Sequence, residues 1–112
     1  MKTELIRTLT QDFKSASHKA DDVEYWRARE LQTLLGYAKW DNFLQVIEKA
    51  KTACDTSGQN VTDHFAGVGK MVDIGSGTQR EIDDIILTRY ACYLIAQNGD
   101  PRKDPIAFAM SY

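Results

Sequence analysis

The sequence predicts an α+β fold in which helix-turn-helix-like helices pack on a small antiparallel sheet with a β-hairpin wing. Three observations carry that expectation. Residues 28–58 hold two amphipathic helical segments hinged at Gly36, a residue suited to the left-handed backbone that ends a helix. Residues 70–74 and 80–87 read as extended arms around Gly75-Ser76-Gly77-Thr78-Gln79, a turn of small and polar residues. Val23-Glu24-Tyr25-Trp26 is short, alternating and aromatic, as a strand should be.

The whole chain sets the bounds. Its 112 residues make one domain, large enough for a single core. A hydrophobic fraction of 43% and a charged fraction of 27% are those of a globular protein. No apolar run is long enough to span a bilayer and the N-terminus lacks signal-peptide character, so no membrane partner and a cytoplasmic location are expected. Cys54 and Cys92 lie on apolar helix faces without a ligand-spaced partner, which predicts buried free thiols and no metal site.

In chain order, residues 4–16 predict a first helix carrying Leu5, Ile6, Leu9 and Phe13 on one face, with His18 solvated at its end. Residues 1–18 thus form an N-terminal helix and residues 19–112 the core. Residues 19–22 read as a polar turn leading into the strand at residues 23–26. Arg27 and Arg29 follow, free to reach a phosphate or to pair with Glu24 or Glu30. Leu31, Leu34 and Leu35 then mark the first helix of the central pair. Trp40, Phe43, Leu44, Ile47, Ala50, Lys51 and Cys54 make one stripe on the second, with the Lys51 stem laid along it. Packing by that stripe turns Asp41, Asn42, Gln45, Glu48, Lys49 and Thr52 outward.

Beyond Gly58, Val61 and Phe65 suggest one helical turn, and His64 beside them reads as a satisfied core or turn histidine. Gly67 and Gly69 bracket Val68 in a fragment too short for a phosphate-binding loop, and it reads as a connecting loop. Ile85-Ile86-Leu87 is best placed as an interior strand pairing with residues 23–26, and Thr88 caps a helix that ends at Gly99. Asp104-Pro105 begins another helix just before the chain stops, so residues 1–112 read as a domain cut from a longer protein. The apolar Ile106, Phe108 and Met110 there suggest a covering segment or a homo-oligomer.

For function, Asn42 and Gln45 lie three apart near a helix start, and carboxamides pair bidentately with adenine. Lys39, Lys49, Arg80 on the hairpin and Arg89 at the start of the last helix are the cations placed to meet phosphates. Two short helices around a glycine are also ordinary core construction, and the hairpin reads equally well as a plain loop or as a wing. Net charge is the counterweight: 14 Lys and Arg against 16 Asp and Glu give −2, and only residues 27–58 are positive, with five cations against four anions. Glu81, Asp83 and Asp84 evoke a metal-dependent nuclease, but alternation along a strand sends Asp84 to the face opposite the other two. No catalytic residue and no cofactor are expected.

With these residues placed, the chain resembles the bacterial DNA-damage-inducible protein D family, whose N-terminal region is similar to the Bro-N domain of phage antirepressors and viral BRO proteins. The likeness covers residues 13–112. It rests on YWRARELQTLLGYAKWDNF at residues 25–43, DHF at 63–65 and DIILTRYACYLIAQNGDP at 84–101. It implies a non-catalytic, DNA-binding-type domain of a damage-response, recombination-associated or antirepressor-like protein. A protein-interaction module acting on a recombinase or repair protein is the alternative it leaves open.

Overall fold

The computed structural model describes residues 2–100. The helix start expected at Asp104-Pro105 and the self-association surface of Ile106, Phe108 and Met110 lie outside the described residues. The elements run α1 (Lys2–Ser15), β1 (His18–Ala20), β2 (Val23–Arg27), α2 (Ala28–Leu34), α3 (Trp40–Thr56), α4 (Val61–His64), β3 (Phe65–Asp73), β4 (Gln79–Leu87) and α5 (Arg89–Gln97). The strands form an antiparallel sheet in the order β1-β2-β4-β3. The fold is α+β, as the hydrophobic patterning requires.

Two stretches differ from the sequence reading. Residues 18–22 are not a helix end and polar turn: His18 to Ala20 form β1, paired with β2 from His18↔Tyr25 to Ala20↔Val23. Asp21 and Asp22, at φ 51° and 65°, make the two-residue hairpin turn between them. Aspartate accepts this left-handed backbone better than most residues, and two consecutive positive φ angles match the twist of the strands. His18 is accordingly held rather than solvated, 2.6 Å from Glu30 Oε1 and stacked on Tyr25.

The second difference is the fragment around Gly67 and Gly69, which is strand and not loop. β3 begins at Phe65 and pairs with β4 in unbroken register from Phe65↔Leu87 to Asp73↔Gln79. The apolar end of β4 supplies the template. Glycine's weak strand preference yields to nine consecutive paired positions.

One face of the sheet carries the core. Phe65, Ile85, Leu87 and Trp26 bury there against α3, through Phe43, Val46, Ile47, Ala50 and Cys54, and against α5, through Ala91, Cys92, Leu94 and Ile95. Each large side chain so buried stabilises by about 1.5–3 kcal/mol. Val46 widens the expected stripe of α3. Trp40, Leu44 and Lys51 sit half-buried at its margin, with Lys51 Nζ 3.4 Å from Glu48. α1 is attached through Phe13, whose ring stacks on Trp26 and whose carbonyl accepts the Trp26 indole N–H at 2.9 Å.

The ends of α2 and α5 follow from their sequence. Gly36, at φ 81°, donates to the Thr33 carbonyl while Tyr37 N–H reaches Gln32, the paired bonds that close a helix C-terminus. Thr88 Oγ1 accepts the Ala91 N–H at 3.1 Å and bonds His64 Nδ1 at 2.7 Å, so His64 is satisfied as its position suggested. Among the described residues no helix is long and apolar enough to cross a membrane.

Both cysteines are free and buried. Burial raises the Cys54 thiol, with the carboxylates of Asp55 and Asp63 adding to the effect, and burial raises the Cys92 thiol as well. The unfolded chain therefore loses these protons first, near the ordinary thiol value of about 8.5, and stability falls as pH rises past it. The decline should approach about 1.4 kcal/mol per pH unit for Cys92, with Cys54 acting in the same direction. Urea melts between about pH 7 and about pH 10 should show a shallower fall for Cys92→Ala than for the parent. At neutral pH neither thiol should react with a disulfide reagent until the chain unfolds.

Candidate nucleic-acid interface

The two-helix unit is fixed to the sheet by a buried carboxylate. α2 starts immediately after β2, and Arg27 at its N-cap offers no side-chain acceptor to the exposed amides of the first turn. Asp84 on β4 supplies it: Oδ1 accepts the Arg29 N–H at 3.0 Å and the Ile85 N–H at 2.8 Å. The residue is 1% exposed. Its Oδ2 has no hydrogen-bond partner and lies 3.9 Å from Arg27 Nη1. The Arg29 side chain continues the connection, donating from Nε to the Asp83 carbonyl at 2.8 Å and stacking 3.8 Å over the Trp40 ring of α3. Arg27 and Arg29 thus pair with β4, not with Glu24 or Glu30 as the sequence allowed.

The outward face of α3 is as patterned: Asp41, Asn42, Gln45, Glu48, Lys49 and Thr52 are all exposed, with Lys39 just before them. At 100° per residue this face has two flanks. Asp41 and Glu48 fall on the flank nearer Trp40 and Leu44, whereas Asn42 and Lys49 fall on the other and Gln45 between. Glu48 is offset by Lys51, which leaves Lys39 and Lys49 against Asp41. Among the described residues, the side chains of Lys39, Asn42, Gln45 and Lys49 enter no ion pair or hydrogen bond.

Arg80 and Arg89 are placed elsewhere. Register pairs Gly67, Gly69 and Met71 with Ile85, Asp83 and Glu81, and these share the sheet face turned to α3. Arg80 and Lys70, opposite Val72 and Ile82, take the reverse face. Arg89 gives a bidentate pair to Glu24 at 3.1 and 3.0 Å, with its guanidinium 5.3 Å from the Trp26 ring centroid. It is exposed, as expected, yet tied to the β2 side of the molecule.

Between α3 and the hairpin lies a cleft of about 510 Å³, walled by Trp40 and Leu44 on one side and by Gly67, Val68, Gly69, Glu81, Asp83, Asp84 and Ile85 on the other. Its hairpin wall is acidic. The three carboxylates do not converge on one point, and among the described residues no group of three His, Cys, Asp or Glu is placed to hold a metal ion.

From the sequence, Asp84 reads as one of an acidic cluster and Arg29 as a cation free to meet a phosphate or a nearby acid, and neither reading gives their part in joining β4 to α2. A signal for Asp84 was present, because it is the acid that alternation separates from Glu81 and Asp83 and that adjoins the apolar Ile85-Ile86-Leu87. Nothing local marked Arg29, whose partners lie more than fifty residues away.

A helix-turn-helix unit seated on an antiparallel sheet with a long hairpin defines a small α+β domain, and the chain belongs to the BRO family N-terminal domain, Bro-N, whose model matches residues 15–110. It is 48% identical over 93 residues to the DNA damage-inducible protein D of Escherichia coli (strain K12). That match covers 83% of this chain and 34% of the relative, so the chain spans about a third of that protein's length. No solved structure matches.

Removing the Asp84 carboxylate should release both α2 and Arg27. Asp84→Ala is expected to destabilise by about 2–4 kcal/mol, and Asp84→Asn, which keeps one acceptor oxygen, by about half as much. Urea midpoints at unchanged m value are the measurement.

Proposed function

We propose that this domain binds DNA without catalysing a reaction, and serves a DNA-damage-inducible or phage antirepressor-like protein. The observation that carries the reading is the flank of α3 bearing Asn42, Gln45 and Lys49, with Lys39 at the helix start. These side chains are exposed and uncommitted, while Arg27, Arg29 and Arg89 are all engaged within the fold. Uncommitted carboxamides can read base edges in a major groove, and lysines beside them can neutralise phosphates.

Membership of the Bro-N family and likeness to a DNA damage-inducible protein support the same reading. The net charge of −2 does not oppose it, because acids and uncommitted cations occupy different flanks. Affinity must then be modest. A domain neutralising about three to four phosphates should show log K falling with log salt at a slope near −3 to −4 on duplex DNA. A nearly flat dependence would instead favour the protein-interaction alternative, a module acting on a recombination or repair protein.

The test is fluorescence anisotropy with single- and double-stranded DNA at several salt concentrations. Asn42→Ala or Gln45→Ala should cost about 1–3 kcal/mol on a preferred sequence and little on random DNA. Lys49→Ala should weaken all sequences and flatten the slope by about one unit. Arg80 is on the sheet face turned away from α3 and Arg89 is paired with Glu24, so Arg80→Ala and Arg89→Ala should change affinity by less than about twofold. Variants of α3 that fold and bind as the parent does would move the function to another surface.

A further inference from the structure

We propose that the outer edge of β3 takes an extended segment of a protein partner as an added strand, and that the acidic cleft receives a lysine or arginine side chain of that segment. β3 is the last strand of the sheet, and among the described residues no strand lies on its outer side. It is nine residues long, contains no proline and keeps unbroken register with β4, so no bulge twists it away. Protein sheets usually blunt such an edge, and this one presents a regular ladder of backbone donors and acceptors. Met71, on the cleft face of the same strand, is 54% exposed.

The side chains beside this edge indicate the occupant. Gly67 and Gly69 leave the cleft face of β3 bare, and a Cβ built on Gly67 meets nothing within 4 Å. A Cβ on Gly69 would stand 2.5 Å from Glu81 Cδ. The Glu81 carboxylate therefore lies across Gly69, toward the free edge. An added strand would run roughly 10 Å from β4, two strand spacings away. A lysine or arginine stem pointing to the cleft face crosses the bare glycines and meets Glu81 partway, with Asp83 behind it.

The charge of the cleft argues the same way, because Glu81 and Asp83 share its face, whereas the buried Asp84 carboxylate is turned to the reverse face and is paired there with Arg27. Leu44 on the opposite wall offers apolar contact to the stem. A second copy of β3 fits poorly, because its cation, Lys70, takes the reverse face and its cleft face ends in Asp73. DNA fits worse still, since its phosphates would meet Glu81 and Asp83.

The probe is a fluorescein-labelled decapeptide alternating lysine and valine, compared with a glutamate-for-lysine version and with one carrying N-methyl groups on alternate backbone nitrogens. The lysine peptide should bind and shift the amide resonances of Phe65 to Asp73, and either change to the peptide should weaken binding at least about tenfold. Glu81→Gln with Asp83→Asn should weaken it about tenfold. Gly69→Ala should do so several-fold while the fold survives, because it displaces only the flexible end of Glu81. Lys49→Ala should leave peptide binding unchanged, which separates this site from the DNA surface. No binding, equal binding of the N-methylated peptide, or indifference to the Glu81 and Asp83 changes would overturn the proposal. Concentration-dependent broadening of the same amides without peptide would assign the edge to a second copy and overturn it equally.

Discussion

The position of the two central helices depends on one buried carboxylate. Asp84 takes the Arg29 amide at the start of α2, in a place where the local sequence provides no cap. Burying a carboxylate costs several kcal/mol unless hydrogen bonds and a nearby cation compensate. Two backbone amides and Arg27 at 3.9 Å provide that here. From the same point Arg29 reaches the Asp83 carbonyl and covers Trp40, so β4, α2 and α3 are joined through consecutive contacts. The axis of α2, and through the Gly36 turn the placement of α3, follow from where that carboxylate sits.

What could be read from the sequence was what local chemistry decides. The apolar stripe of α3, the glycine-ended α2 and the Thr88 cap rest on contacts between near neighbours or on periodicity, and the distant pairing of β4 with β2 was legible only because residues 85–87 are a continuous apolar run. β1 escaped because a three-residue strand carries no periodic signal and its turn is built on Asp21-Asp22 rather than a glycine pair. The extent of β3 escaped because Gly67 and Gly69 are strand residues only in the presence of β4. On the candidate site, the exposure of Asn42, Gln45 and Lys49 was legible as the complement of the stripe. The engagement of Arg89 was not, because Glu24 lies 65 residues away along the chain.

Charge distribution resolves a tension that composition alone leaves standing. A net charge of −2 argues against strong non-specific attraction to a polyanion. Screening confines exposed charges to a range of about 8–10 Å at ordinary ionic strength, so their local arrangement matters more than their sum. Glu81 and Asp83 are turned into the cleft beside Trp40 and Leu44, and Asp41 lies on the same flank of α3. Lys49 and Asn42 are on the other. A molecule so divided can present a weakly positive surface on one side of α3 while remaining acidic on the other.

The glycines of β3 bring the two halves of this division together. Glycine inside a strand is disfavoured by roughly 0.5–1 kcal/mol relative to alanine, through the backbone freedom it loses on folding. Neither Gly67 nor Gly69 is used for a left-handed turn, because positive φ among the described glycines is confined to Gly36, Gly58, Gly75 and Gly77. Their effect is on space. A side chain at position 69 would occupy the volume into which the Glu81 carboxylate now folds, and would force that charge away from the strand edge. With glycine there, Glu81 stays beside β3 on the cleft face, away from the flank of α3 that carries Asn42 and Lys49. The same small residues that leave the sheet edge accessible therefore keep acidic charge off the flank of α3 that carries Asn42 and Lys49.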